Sequence, residues 1–246
     1  MSDGERSNGR SLFPRTLETE RLELERLCHD TVDARAYYEH CSEHNPHIEE
    51  VTRYLPWDPH ETPRETVEYV DELERKWTEG TRGEWVIRPK SGEESETRNA
   101  SEQSSSEGLD EPLGPCERGD DPRPDGSEPR DGAGEIAGSA CLVVDWETRT
   151  ATPGIWLRKR FWGRGYSAER ARALVALAFG RLDLDLVAVP VEDGNETSRR
   201  AVAQYVEALG GQYDGVVRNS TVRPDGRIVD HHRYTITRDQ YDPDGT

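Results

Sequence analysis

Hydrophobic and polar positions along the chain follow two periods, and each period predicts a different kind of element. Apolar residues that recur at every second position, as Leu22 and Leu24 do between glutamates, predict a half-buried strand. Apolar residues at every third or fourth position, such as Val67, Val70 and Trp77, predict a helix. The predicted strands cover about 20–26, 84–88, 135–144, 150–157, 186–191, 213–218 and 229–237, and the predicted helices about 33–41, 62–78, 167–181 and 195–209. This order predicts an α/β fold in which a mixed sheet is flanked by helices.

Two of the predicted helices carry additional signals. The run Thr62-Pro63-Arg64-Glu65 combines a capping threonine, proline at the first helical position and glutamate at the third. In the helix over 167–181, we expect one face to be apolar and the other to be polar and exposed to solvent. The apolar face holds Ala168, Ala171, Leu174, Val175 and Ala178, and the polar face holds Glu169, Arg170 and Arg172.

The segment 89–134 differs in composition from the rest of the chain. Its 46 residues include 13 acidic and five basic side chains, a net charge of −8, and 20 of them are Gly, Pro or Ser. It offers no aromatic residue, Val or Ile to bury, so we predict that it is disordered. It lies between two predicted strands, in what would otherwise be a hairpin loop, where a chain is most easily lengthened. An acidic interaction segment is the alternative interpretation.

The remaining residues are enough for one domain. Removing the insertion leaves roughly 200 residues, and six Trp and nine Tyr can contribute to a core although hydrophobic residues are only 32% of the chain. We therefore predict a single domain over 17–241, interrupted by the insertion and preceded by a disordered tail over 1–16.

The charge of the chain limits its partners. It has 50 acidic residues against 32 basic ones, a formal net charge of −18, and only three lysines. An acidic surface repels other polyanions, which argues against nucleic-acid binding. Together with the scarcity of lysine, it indicates a halophilic adaptation to a high-salt cytoplasm.

No apolar run approaches the ~20 residues of a membrane-spanning helix, and the first ten residues lack a secretory pattern, so we expect a cytoplasmic protein without a membrane partner. Cys28, Cys41, Cys116 and Cys141 have no paired spacing and are expected to be reduced.

One short stretch is basic against this acidic background. The 15 residues 158–172 hold six bases and one acid, a local net charge of +5, where a predicted strand leads into a helix. At its centre, Gly163 and Gly165 let the backbone curl close to a ligand, and the amides that open the next helix attract anions. This combination predicts a site for phosphate or pyrophosphate. A simple turn flanked by arginines remains the alternative.

A dinucleotide-binding fingerprint is disfavoured at this position. Gly163, Gly165 and Ala168 satisfy G-x-G-x-x-A, and Asp193 lies beyond the next predicted strand. That fingerprint directly follows its strand and opens a series of parallel βαβ units. Here the residues 158–162 intervene and strand pairs come before the loop, so a nicotinamide site is not expected.

Four motifs in the chain resemble those of the GNAT N-acetyltransferases. Arg160, Gly163 and Gly165 match the Q/R-x-x-G-x-G/A loop of that family. The segments 17–22 (LETERL), 54–57 (YLPW), 161–166 (FWGRGY) and the Asn195-x-x-Ser198 pair look like the RimJ/RimL-like branch, which acetylates protein N-termini. The resemblance covers about 17–241 apart from the insertion. It implies the GNAT fold, with a mixed and mostly antiparallel sheet.

The resemblance also implies acetyl-CoA as co-substrate and direct transfer of its acetyl group to an amine in a ternary complex. The pyrophosphate would lie on the backbone of the basic loop, the pantetheine arm along the strand that ends at 157, and a backbone N–H near Leu157 would polarise the thioester carbonyl. The expected coenzyme-binding residues are Leu157, Arg158, Arg160, Gly163, Arg164, Gly165, Tyr166, Ser167 and Asn195.

Four further residues are assigned to the chemistry and to the acceptor. Ser198 and Tyr205 are seven residues apart, hence on one helix face, and are candidate proton donors to the leaving thiolate. Tyr205 precedes the Leu209-Gly210 pair by four residues, whereas the tyrosine of the family precedes its pair by three. Glu84 is the candidate base, and Trp57 either walls the acceptor pocket or belongs to the core. Asn195 is equally explained as a helix cap, and Ser198 as an exposed helix serine.

The acceptor and the assembly stay open at this level. The preferred acceptor is a protein N-terminal α-amine; the alternatives are a small-molecule amine and a catalytically silent acyl-CoA-binding module. The chain is expected to be a monomer or a homodimer. A zinc site at His40, Cys41, His44 and His47 is disfavoured because Pro46 interrupts the helix and no second pair of ligands is evident, so no metal is expected.

Overall fold

A computed structural model of the chain describes residues 11–90 and 134–243. In this part of the chain eight strands form one sheet in the order β1-β2-β3-β4-β5-β6-β8-β7. The strands are β1 (Thr16–Glu18), β2 (Leu22–Arg26), β3 (Arg82–Pro89), β4 (Gly138–Asp145), β5 (Thr150–Leu157), β6 (Leu186–Glu192), β7 (Gln212–Val222) and β8 (Ile228–Thr237). The helices are α1 (Ala34–Cys41), α2 (Ile48–Thr52), α3 (Pro63–Glu79), α4 (Tyr166–Ala176) and α5 (Glu196–Ala208). The helix α4 continues as a π-helical turn over Leu177–Arg181. Only β5 and β6 pair in parallel. The predicted mixed, mostly antiparallel sheet with flanking helices is confirmed.

The two faces of the sheet carry separate cores. Trp85 and Val86 are neighbours on β3 and therefore point to opposite faces. Trp85 packs with Leu142 and with Leu174 of α4, whereas Val86 packs with Val70 of α3 and other residues of the α1–α3 side. The α4–α5 layer and the α1–α3 layer thus enclose the sheet between them.

Two short elements escaped the sequence analysis. The strand β1 has three residues, too few for an alternation to be visible. The helix α2 has five, and its cap residue His47 makes no capping hydrogen bond through its side chain. Both are held in place by neighbours, because β1 pairs with β2 and Ile48 of α2 is buried.

The packed structure starts before residue 17. Phe13 is 1% exposed, and its ring lies 5.3 Å from that of Trp77 and 6.0 Å from that of Trp85. Ser11 Oγ accepts a hydrogen bond from Trp77 Nε1. The predicted disordered tail over 1–16 is therefore too long at its C-terminal end, because Phe13 fills a space in the core. Residues 1–10 lie outside the described residues.

The acidic insertion falls where the sequence places it. β3 and β4 are antiparallel neighbours in the sheet, with Ile87 opposite Gly138, so the chain between them is a hairpin connection. Pro89 belongs to β3, and Arg88 Nη1 donates to the carbonyl oxygen of Gly134 at 2.5 Å. The prediction that disorder begins at Pro89 is therefore wrong for that residue, which belongs to a strand. The predicted disorder of 91–133 lies outside the described residues.

A gap between β5 and β6 interrupts the sheet. The two strands pair only at Thr150–Leu186 and Ala151–Val187, whereas β6 pairs with β8 along its whole length. Hydrogen bonds alternate sides along a strand. Because Arg158 N–H donates to the Ala137 carbonyl on the β4 side and Asp193 N–H to the Asp230 carbonyl on the β8 side, odd positions of β5 and even positions of β6 face the gap.

A proline occupies one of these gap-facing positions on each strand. They are Pro153 on β5 and Pro190 on β6. Proline has no N–H to donate to a neighbouring strand. The parallel ladder therefore cannot continue past its first pairs, and the strands separate.

The hairpin position of the insertion predicts that it is dispensable for folding. If 91–133 are replaced by a turn of four to six residues such as Gly-Asn-Gly-Ser, the β3–β4 pairing should persist. The free energy of unfolding should stay the same or rise by up to about 2 kcal/mol, because a shorter loop costs less entropy to close. Chemical denaturation of the two proteins measures the change. Loss of cooperative unfolding in the shortened chain would show that the segment is structural.

Candidate functional site

The gap between β5 and β6 opens into a cleft of about 400 Å³. Residues from both layers of helices line it, so it passes through the sheet. On the α1–α3 side the lining includes Tyr54, Trp57, Tyr69, Arg82, Glu84 and Ser139, and on the α4–α5 side it includes Ser167, Arg170, Asn195, Ser198, Val202 and Tyr205. The cleft is therefore lined both by Ser167 and Asn195, which are predicted to bind the coenzyme, and by Trp57, which is predicted to contact the acceptor.

The glycines of the basic loop have the backbone conformation that the sequence analysis expects. Gly163 has φ = 76° and Gly165 has φ = 78°, in the left-handed region that glycine enters without steric cost. Gly165 precedes α4, whose first turn has no side-chain cap. A Cβ atom at Gly163 would meet nothing within 4 Å. The loop thus turns its backbone outward, with the positive end of the helix dipole behind it.

Glu169 anchors this loop to the first hairpin. Its carboxylate accepts hydrogen bonds from Thr19 Oγ1 at 2.5 Å, from the Arg21 N–H at 2.7 Å and from Arg21 Nε at 2.7 Å. Arg21 in turn donates to the Arg164 carbonyl oxygen at 2.9 Å. Burial opposes ionisation of Glu169, but these hydrogen bonds outweigh it and lower its pKa. The segment 17–22 therefore holds the loop in position.

Acidic residues from other segments neutralise part of the basic stretch. Arg158 and Arg160 both contact the carboxylate of Glu135, and Lys159 lies 2.6 Å from Glu50. The guanidinium of Arg164 lies over the ring of Phe161 at 5.2 Å. The local charge of +5 counted along the sequence is thus reduced in three dimensions, and backbone amides carry more of the anion-binding potential than the count implies.

Three of the predicted coenzyme-binding residues direct different groups toward the site. The side chain of Tyr166 is 1% exposed and belongs to the core beside Phe161, so only its backbone faces the loop. Ser167 lines the cleft. Leu157 occupies an odd position of β5, so its N–H points into the gap, and its carbonyl oxygen accepts a hydrogen bond from Trp162 Nε1 at 2.8 Å.

Glu84 lies in a buried polar cluster at the centre of the cleft. It is 3% exposed, and its Oε2 accepts hydrogen bonds from Arg82 Nε and Nη2 at 2.9 and 2.7 Å. Its Oε1 accepts from Ser139 Oγ at 2.6 Å and from Tyr69 Oη at 3.5 Å. The carboxylate is therefore oriented and paired, and it faces the cleft that Trp57 also lines.

The chain next to Trp57 is bonded to residues on the other side of the cleft. Tyr54 Oη donates to the Gly194 carbonyl oxygen at 3.0 Å. Arg223 forms a buried ion pair with Glu192 at 3.0 Å and also donates to the Arg53 carbonyl oxygen. Trp57 lines the cleft and also packs edge-on against Trp156 at 5.9 Å.

Residues from α5 form the opposite wall. Asn195 is the N-cap of α5, and its Oδ1 accepts the Ser198 N–H at 3.2 Å. Asn195, Ser198 and Tyr205 all line the cleft. The hydroxyl of Tyr205 is buried without a hydrogen-bond partner among the described residues, and burial raises the pKa of Tyr205 to about 12. Tyr205 is therefore a neutral donor at physiological pH.

Arg170 is the cleft residue that the sequence analysis assigned to the wrong side of its helix. Instead of facing solvent beside Arg172, it is 3% exposed and lines the cleft. The available signal was its position three residues after Ser167 and four after Tyr166, which places it on their face of the helix. Ser139 and Cys141 were also missed, because nothing in an apolar strand pattern marks which residues border a gap.

The cysteine and histidine cluster does not assemble into a metal site in the described residues. No group of three His, Cys, Asp or Glu side chains there could hold a metal ion. Cys41 is a buried free thiol that contacts His60 Nδ1. Burial, followed by the charges of Arg158, Arg160 and Arg88, lowers the pKa of His40 to about 4. Cys28 and Cys141 are free thiols as well. Among the described helices, none is long and apolar enough to cross a membrane.

Two curated protein sequences match parts of the chain. The uncharacterized N-acetyltransferase p20 of Bacillus licheniformis is 25% identical over 99 residues, which are 40% of this chain and 53% of p20. A protein of Bacillus subtilis (strain 168) named "Putative ribosomal N-acetyltransferase YdaF" is 36% identical over 89 residues, 33% of this chain and 48% of that protein. The chain thus spans about half the length of these relatives.

Solved structures share the fold over nearly the whole chain. RimJ of Mycobacterium smegmatis in complex with CoA-disulfide has a TM-score of 0.64 at 15% identity and covers 93% of this chain and 90% of its own. The microcin C7 self-immunity acetyltransferase MccE, in complex with acetyl-CoA and AMP, has a TM-score of 0.64 at 14% identity, with coverage of 92% and 98%.

One protein-family model matches the chain over most of its length. The model of the acetyltransferase (GNAT) domain matches residues 21–205, a range that includes Glu84, the glycine loop and Tyr205. The resemblance noted from the motifs is thereby confirmed, and the chain belongs to the GNAT acetyltransferase family.

Proposed function

We propose that this protein is an N-acetyltransferase that moves the acetyl group of acetyl-CoA to a primary amine, with a protein N-terminal α-amine as acceptor. The observation that carries the proposal is the cleft itself. It extends from Ser167, in the first turn of the helix that follows the Gly163–Gly165 loop, to the paired carboxylate of Glu84 on the other face of the sheet. A donor bound from one face and an acceptor bound from the other would meet inside it.

The coenzyme half supports binding of a long, bent phosphate ester. Its pyrophosphate would lie on the backbone of residues 160–167, with Arg158, Arg160 and Arg164 near its charge. The gap-facing N–H groups of Ile155 and Leu157 are left open by the missing ladder and are suited to the amides of the pantetheine arm. Asn195, although it caps α5, reaches the same cleft. A backbone N–H at Leu157 would polarise the thioester carbonyl.

The acceptor half supports a cationic substrate. The segment 43–68, which contains Tyr54 and Trp57, has seven acidic and two basic residues. The negative net charge of a segment that lines part of the cleft would attract an amine that arrives protonated, and basic polypeptides in particular. Trp57 provides an apolar wall beside the cleft.

Proton transfers would be shared between the two halves. Glu84 would take the proton of the attacking amine, directly or through water, after the amine has entered the cleft. Ser198 and Tyr205 would donate hydrogen bonds toward the departing sulfur. A thiolate is a tolerable leaving group because the pKa of a thiol is about 8.5, so no strong acid is required.

The thiol-release assay decides between an enzyme and a silent acyl-CoA-binding module. With acetyl-CoA and peptides whose N-termini carry basic residues, free thiol should appear in proportion to acetylated peptide. Small amines at equal concentration should react more slowly. Free thiol is followed by a chromogenic disulfide and the product by mass spectrometry. Coenzyme binding without thiol release on any amine would favour the silent module.

Substitutions at Gly163 test the coenzyme loop. Gly163→Asp places a carboxylate where the pyrophosphate would lie, and Gly163→Asn is its matched neutral control, because Asn and Asp both tolerate positive φ. We expect Gly163→Asp to weaken acetyl-CoA binding at least about tenfold more than Gly163→Asn does, equivalent to about 1.4 kcal/mol. Calorimetric titration measures both affinities. Equal affinities for the two variants would refute the assignment of the loop.

Substitution of Glu84 tests the base. Glu84→Gln keeps the shape but removes the proton acceptor, so kcat should fall about 10²- to 10⁴-fold while acetyl-CoA affinity stays unchanged. The exposed Glu79→Gln at the end of α3, outside the segment 43–68, is the control for loss of one negative charge. Steady-state kinetics over pH 6–9 provide the comparison. A Glu84→Gln enzyme that stays folded and retains full kcat would exclude Glu84 as the base.

A further inference from the structure

Arg170 is a buried cation whose hydrogen-bonding capacity is largely unused. Its side chain is 3% exposed and lines the cleft. Neither Nε nor Nη1 has a hydrogen-bond partner among the described residues, although both atoms are shielded from solvent. Burying a charge without an opposite charge is costly, so this arrangement needs a reason.

The cleft contains two other arginines that serve as an internal comparison. Arg82 forms an ion pair with Glu84 at 2.7 Å, and Arg223 forms one with Glu192 at 3.0 Å. Among the described residues, no carboxylate lies within ion-pair distance of Arg170. Two cleft arginines are thus neutralised within the fold, and the third presents its charge to whatever occupies the cleft.

The titratable neighbours of Arg170 do not supply the missing anion. Tyr205 on α5 and Cys141 on β4 are the groups that interact with its charge. Burial raises the pKa of Tyr205 to about 12, and burial followed by the charge of Glu84 raises the pKa of Cys141 to about 11. Both are therefore uncharged at physiological pH. The other titratable or charged groups lining the cleft are Tyr54, Tyr69, Arg82, Glu84, Glu192, Arg223 and His231.

We propose that Arg170 is a catalytic residue whose guanidinium stabilises the coenzyme thiolate as it leaves. The inference rests on the proposed function. The amine nitrogen attacks the thioester carbonyl carbon, the C–N bond forms, and the C–S bond breaks with its electron pair on sulfur. The proton of the amine goes to Glu84 or water. The negative charge that appears on sulfur is the anion that the ligand-free cleft lacks.

The neighbouring tyrosine strengthens this assignment. A phenol with a pKa of about 12 gives up its proton to a thiolate of pKa ~8.5 with an equilibrium constant below ~10⁻³. Tyr205 can therefore donate a hydrogen bond to the sulfur but is a poor source of a full proton. A fixed cation beside it stabilises the thiolate without any proton transfer.

The ionisation of bound coenzyme A tests the proposal directly. In the wild-type complex, the thiolate absorbance near 240 nm, with desulfo-CoA as blank, should titrate at least about one pH unit below that of free coenzyme A, because a neighbouring cation favours the anion. Arg170→Met should abolish this shift, and Arg170→Lys should retain part of it. Arg200→Gln, which removes an exposed cation from α5, should titrate as the wild type does.

Kinetics and stability provide the second readout. Arg170→Met should lower kcat about 10²- to 10³-fold, as for loss of one transition-state contact. The thermal midpoint of the ligand-free protein should stay the same or rise, because an apolar side chain replaces an unpaired buried charge. A lower midpoint with unchanged kcat would mean that Arg170 is structural and would overturn the proposal.

Two further outcomes would also overturn it, and both are distinct from failure of the proposed function. If coenzyme A binds but its thiol titrates as it does when free, Arg170 does not act on sulfur. If the wild type prefers malonyl- or succinyl-CoA over acetyl-CoA and Arg170→Met loses that preference, Arg170 binds a carboxylate of the acyl group instead. Failure of coenzyme A to bind at all, measured by calorimetry, would refute the proposed function itself.

Discussion

The separation of β5 from β6 is the constraint on which the rest of the structure depends. Pro153 on β5 and Pro190 on β6 each occupy a position where another residue would direct its N–H toward the neighbouring strand. Because proline has no N–H, the parallel ladder stops after Ala151–Val187. Without this gap, a continuous sheet would isolate the glycine loop and α5 from Glu84 and Trp57. The missing ladder also leaves the N–H groups of Ile155 and Leu157 open to a ligand. One local loss of sheet hydrogen bonds thus creates both the passage and its binding edge.

Contacts between distant segments then set the electrostatics of the two ends. Along the sequence, the basic loop and the acidic segment 43–68 are separate features. In the fold, Lys159 of the loop pairs with Glu50 of the acidic segment, and Glu169 fastens the loop to the hairpin at Arg21. These charged groups hold the two segments together, while the backbone of Gly163 stays open to solvent and most acidic side chains of 43–68 are exposed.

Features with a local cause could be predicted from the sequence, and features with a tertiary cause could not. The strands 150–157 and 229–237 follow from alternation, and the positive φ of Gly163 and Gly165 follows from the need for a tight loop before a helix. Phe13 lies outside any periodic run of apolar residues, so the local sequence does not predict that its ring packs against Trp77 and Trp85. The role of Arg170 was misjudged because a charged helix residue ordinarily faces water, and its burial depends on a gap between two strands.

The contrast among the cleft arginines connects folding with function. Arg82 is paired with Glu84 and orients its carboxylate. Arg223 is paired with Glu192 and also donates a hydrogen bond to the backbone carbonyl of Arg53. The charges of these two arginines are neutralised by carboxylates within the fold, and both side chains orient other groups. Arg170 does neither within residues 11–90 and 134–243. Burial lowers its pKa from the usual value, and this desolvation disfavours the ligand-free state. If the buried cation gains an anionic partner only as the thiolate forms, as proposed above, the site is complementary to the transition state rather than to the substrate.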